Sequence, residues 1–103
     1  WWPGGTTPED ALRTLAYGIA HNDLAAIRLI MPEAQQPLFA TDAALEAHIA
    51  RIRSRVDRAL ARVGPLRSDI AQIRGKEARI VYTGPREVRF VLESNRWRVL
   101  DVE

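Results

Sequence analysis

Apolar residues between Thr41 and Val63 recur at Leu45, Ile49, Ile52, Val56, Leu60 and Val63. Those gaps of three and four place them on one stripe of an α-helix. At 1.5 Å per residue the helix is about 34 Å long, enough to cross a small domain. Ile52 and Val56 lie at the centre of the stripe, so both are expected at the heart of the core. Thr41 or Asp42 caps its start, and Gly64-Pro65 ends it.

Two shorter helices precede it. Thr7-Pro8-Glu9-Asp10 reads as an N-cap, a proline at the first helical position and acids where the helix dipole favours them. Leu12, Leu15, Ala16 and Ile19 supply the stripe of that first helix. Asp23 caps a second helix through Leu24, Ile27 and Ile30, which Pro32 stops. Residues 33–40 read as a loop with Leu38 and Phe39 tucked inward.

After Pro65 the period falls to two, the signature of strands with one buried face. Ile80 and Tyr82 alternate in 78–83, and Val88, Phe90 and Leu92 in 87–93; Trp97 to Val102 closes the set. A further strand in 66–74 is weakly patterned. Ser94-Asn95 suits a two-residue hairpin loop, because asparagine tolerates positive φ. That loop sets Val88, Phe90 and Leu92 against Asp101, Val99 and Trp97 on the face toward the long helix. Val91, Leu100 and Val102 then point away from it. For Ile80 and Tyr82 to share the face of Val88 and Phe90, the loop at Thr83-Gly84-Pro85 must have an odd number of residues, three.

The 103 residues make one domain, 6–103, of ordinary globular composition. It is α+β: three N-terminal helices, the third long, packed on a curved antiparallel sheet of three to four strands. Residues 1–5 read as a linker or juxtamembrane remnant. Trp1-Trp2-Pro3 is either the interfacial end of a removed membrane anchor or a pair of tryptophans capping the core. The anchor reading favours the soluble part of a membrane-tethered bacterial protein in a periplasmic or extracytoplasmic setting. Without cysteines there is neither a disulfide nor a thiolate metal site.

Charge is unevenly spread. Residues 1–50 carry two arginines against six acids, net −4, and residues 51–103 thirteen basic residues against seven acids, net +6. Arg51, Arg55, Arg58 and Arg62 form a second stripe on the long helix, suited to an anionic partner surface. Interspersed acids and the lack of an aromatic stacking platform argue against nucleic acid. His21 and His48 have no acid cluster beside them, and first-row metals want three or four ligands, so no metal site is assigned.

Pro8-Glu9-Asp10-Ala11-Leu12, Asn22-Asp23-Leu24 with Ile27 and Ile30, and the closing Asn95-Arg96-Trp97-Arg98-Val99 together resemble the NTF2-like and cystatin-like superfamily. That likeness implies a sheet wrapped on a long helix as a cone, with a pocket inside. Such a pocket would draw on Tyr17, Tyr82, Phe90, Trp97 and Asp101. In members of the ketosteroid-isomerase type a tyrosine and an aspartate carry the chemistry. Here those positions fall at Leu15 and near Phe39, both apolar, so no catalytic residue and no cofactor is assigned.

The leading functional reading is a non-enzymatic module that binds a protein partner or a small apolar ligand. A small-pocket isomerase or dehydratase is the alternative. The arginine stripe, with Val91 and Leu100 on the outer face of the sheet, is the expected partner surface. Val91, Leu100 and Val102 among mixed charges would also suit a homodimer through the sheet.

Overall fold

The structure, a computed structural model, describes residues 6–64, 70–84 and 86–103, Thr83 by its backbone alone. Trp1-Trp2 and the start of the expected strand at 66–69 lie outside the described residues. Helix α1 (Pro8–His21) opens where its cap signals place it: the Thr7 hydroxyl accepts from the Asp10 amide at 3.1 Å. It closes on Asn22 in the left-handed region at φ 52°. Helix α2 (Leu24–Leu29) is capped by Asp23, whose carboxylate accepts from the Ala26 amide. Helix α3 (Asp42–Val63) starts at Thr41 and ends on Gly64 at φ 77°.

A fourth helical element stands where a loop is expected. Glu33–Phe39 winds as a 3-10 segment led by Pro32. Adjacent side chains on so tight a coil diverge. Phe39 turns inward while Leu38, 69% exposed, faces out, against the expectation for Leu38.

Four antiparallel strands follow in the order β1 (Gln72–Arg74), β2 (Glu77–Thr83), β3 (Arg86–Glu93), β4 (Arg96–Val102). Their inner face carries Ala78, Ile80, Val88, Phe90, Trp97, Val99 and Val102. All are buried against Leu12, Leu15 and Ile19 of α1 and Leu45, Ile49 and Val56 of α3 in one core. Each of the larger ones removed from water contributes about 1.5–3 kcal/mol. Ile52, given equal rank with Val56 by the spacing, is only half-buried.

Two bulges change the expected register. Glu93 does pair with Arg96 and Phe90 with Val99, and Ser94 and Asn95 form the loop at φ 52° and 61°. Beyond Val99, Leu100 is an extra residue, so Arg89 meets Asp101 and Val88 meets Val102. Asp101 therefore leaves the inner face and Val102 enters it, which keeps a carboxylate wet and buries a valine. At the preceding hairpin Thr83 pairs directly with Arg86, so the expected three-residue loop is wrong. A bulge between Val81 and Thr83 supplies the odd residue instead, and Ile80 still meets Val88.

Two buried ionic side chains tie the layers together. Glu9 of α1 accepts from the Ala71 amide at 2.7 Å, holding the approach to β1 onto the helix. Arg98 of β4 wraps round the strand's free edge and donates to the carbonyls of Leu29 and Met31 at the end of α2. Along the same edge the Val99 amide donates to the Ile30 carbonyl at 2.8 Å.

Candidate functional site

An apolar pocket of about 320 Å³ opens between α1, α2, the 3-10 segment, α3 and the C-terminal half of β4. Its walls are Leu15, Ile27, Ile30, Met31, Ile52, Val99 and Val102, with Leu38 and Phe39 at one side. The pocket explains why Ile52 is half-buried: its stripe neighbours Ile49 and Val56 are buried, while Ile52 faces the opening. The bulge at Leu100 shapes the wall on β4. Gln35 of the 3-10 segment donates from Nε2 to the Leu100 carbonyl at 3.2 Å and joins that wall to the segment.

Polar residues in the lining are few: Gln35, His48 and Asp101. The Phe39 ring stacks on the His48 imidazole, centroids 4.3 Å apart and planes 25° from parallel. Burial under that stack is the first cause that holds the His48 pKa below 6.5, with the positive charges of Arg51 and Arg55 pushing the same way. Asp101 is exposed at the rim and stands opposite Arg89 across the strands. Pockets of this character, apolar with a few polar groups, suit small ligands.

Of the residues expected to line a pocket, only Asp101 reaches this one. Phe90 and Trp97 are consumed by the core. Tyr17 stacks with His21 on α1, centroids 4.5 Å apart. Tyr82 packs at the core's edge, its buried hydroxyl without a hydrogen-bond partner among the described residues. The structure thus does not bring Tyr17, Tyr82, Phe90 and Trp97 together. His48, Phe39, Ile52 and Gln35 are the lining groups that sequence reasoning missed. The one available signal was the position of His48 on the flank of the long helix, beside the apolar stripe.

Arg51, Arg55, Arg58 and Arg62 are all exposed on α3, as their spacing implies. On the outer face of the sheet, Val91 is half-buried and Leu100 exposed, but Val102 is in the core, so the expected three-residue apolar patch loses a member. That face instead holds a shallow polar groove of about 470 Å³ along Arg74, Glu77, Arg79, Glu87 and Arg89. Arg79 pairs with Glu87 there at 3.5 Å. Among the described residues no group of three or more His, Asp or Glu is placed to hold a metal ion. No family model, curated protein or solved structure matches this chain.

Proposed function

We propose that the chain is a small-ligand-binding module of the NTF2-like type, whose site is the apolar pocket beside His48. One observation carries this reading. Five separate elements converge on a space of about 320 Å³ whose walls are mostly apolar, with His48 and Asp101 among the lining residues. At the roughly 30 Å³ a water takes up in the liquid, that space equals about ten waters, room for one small ligand. The gain is the burial of ligand carbon, and the polar groups fix its orientation.

The test is a titration with a neutral fluorescent ligand, 1-aminoanthracene, against the wild-type protein and Ile52→Trp. An indole at position 52 fills the opening from a half-buried site and leaves the folded state intact. Saturable enhancement in wild type, lost in a variant that still melts cooperatively, is the expected result. Equal enhancement by both proteins would place the binding elsewhere and overturn the reading. His48 is also a side chain able to move a proton at the pocket wall, and that supports a second reading as an isomerase or dehydratase. It predicts turnover that His48→Gln abolishes without loss of 1-aminoanthracene binding.

A further inference from the structure

On α3, Arg51, Arg55, Arg58 and Arg62 fall at i, i+4, i+7 and i+11. At ~100° per residue they occupy a fan of about 60°, and at 1.5 Å per residue a line of about 16 Å. Like charges at these spacings repel one another. The helix's own acids do not relieve them: Asp42, Glu46 and Asp57 lie about 100° or more round from the nearest of the four. None of the four arginines forms an ion pair with any acid among the described residues. Among the described residues this row of cations has no counterion.

Its N-terminal end borders the pocket. His48 lies one turn before Arg51, between the arginine flank and the buried face, and its ring is part of the pocket lining. The charges of both Arg51 and Arg55 reach that ring. Across the pocket the only acid in the lining, among the described residues, is Asp101, which stands opposite Arg89. An anion entering beside Asp101 would be repelled, whereas one beside His48 meets the guanidinium groups of Arg51 and Arg55, which pair with no acid among the described residues.

Resting on the pocket reading above, we infer that the ligand is a single-chain amphiphilic anion. Its acyl tail lies in the apolar pocket, and its carboxylate is held by Arg51 and Arg55 at the mouth. Arginine suits that role because its fork of donors matches a carboxylate's two oxygens. The pocket volume admits one short chain and not the two chains of a phospholipid, so the surface of a membrane is the disfavoured source of the same chemistry.

Displacement of 1-aminoanthracene by decanoate and by decanol, at low ionic strength, tests this. The proteins are wild type, Arg51→Gln/Arg55→Gln, and Arg58→Gln/Arg62→Gln, all altered only at exposed helix positions that leave folding intact. Decanoate is expected to displace the probe at about one-tenth the concentration of decanol, the advantage of a charge-assisted pair over a neutral one. The Arg51/Arg55 double variant should bring the two within about twofold without moving decanol, and the Arg58/Arg62 variant should keep most of the advantage. Equal displacement by both compounds in wild type would overturn the anionic ligand while leaving the pocket in place. So would sedimentation with dioleoylphosphatidylglycerol vesicles in the absence of decanoate binding. Failure of either compound to displace the probe, with probe binding insensitive to Ile52→Trp, would instead remove the pocket reading itself.

Discussion

Arg98→Met is the substitution that most directly tests how the helical layer is held to the sheet. The residue is 9% exposed. Its Nη1 donates to the Met31 carbonyl at 3.0 Å and to the Leu29 carbonyl at 3.3 Å. Nε lies 3.4 Å from Oε1 of Glu93, close enough for an ion pair but not aligned as a hydrogen bond. Nη2 reaches Glu33 only at 3.8 Å, and that carboxylate is 60% exposed, so water screens the pair and it adds nothing to the sum. A hydrogen bond from a charged donor contributes about 1.5–3 kcal/mol; with two sharing one nitrogen, the loss should be about 2–4 kcal/mol. Methionine keeps most of the aliphatic stem, so the cavity left behind is small. In a domain of this size each kcal/mol moves the midpoint by about 4–8 °C, so Tm should fall by about 10–25 °C. Arg98→Lys keeps the charge but not the fork, and should fall between the two. Thermal melts followed by circular dichroism give the shift. Hydrogen exchange adds a local readout, because the Val99 amide, bonded to Ile30, should lose protection before the amides of β2 and β3. A Tm for Arg98→Met within about 2 °C of wild type would mean that the carbonyls of Leu29 and Met31 do not depend on this guanidinium.

Three further outcomes are expected. Val56→Asp buries an unpaired carboxylate at a site 1% exposed, a cost of several kcal/mol, and should abolish the cooperative urea transition, whereas Ile52→Asp at the pocket opening should retain one. Gly18→Ala, which would stabilise an open helix by about 1 kcal/mol, should here cost about 1–2 kcal/mol in the same measurement, because the new methyl would run into Ile27 Cγ1 inside a packed core. His48, with a native pKa below 6.5, takes up its proton more readily in the unfolded chain; stability should therefore fall as pH drops through 6.5 toward the lowered native value. In His48→Gln that part of the slope should vanish, with Arg51, Arg55 and Asp101 as the charged groups that remain around the site. An equal change in unfolding free energy between pH 7.5 and 5.5 for both proteins would refute it.

What was legible in the sequence was local. Thr7, Asp23 and Thr41 cap helices because their side chains reach amides three residues on, and Ser94-Asn95 turns because of its own backbone preference. The positions of the bulges were not legible. Whether Leu100 is an extra residue depends on how Val102 and Asp101 would each fare beneath the helices, a comparison that pairwise alternation along one strand does not contain. The buried ionic groups escaped for a similar reason. Glu9 reads as a dipole-favoured acid and Arg98 as one more outward charge, until Ala71, 62 residues later, and Met31, 67 residues earlier, are brought beside them. The pocket was half visible. The stripe on α3 marked Ile52 as apolar, but only the arrangement of five elements leaves that side chain facing empty space.

The sealed flank of β4 also bears on how this protein would misassemble. A strand at the end of a sheet offers its free amides and carbonyls to any other extended chain, and β4 has seven residues of them. Here the segment from Ile30 to Gln35 occupies that flank through Val99 and Leu100, with Arg98 as its fastening. At the opposite end β1 is only three residues long and carries Gln72 and Arg74, a poor template for growth. Conditions that loosen the segment after α2 while the sheet persists would uncover Arg96–Val102 first. Intermolecular strand addition, and with it aggregation of a still largely folded chain, should therefore start at β4.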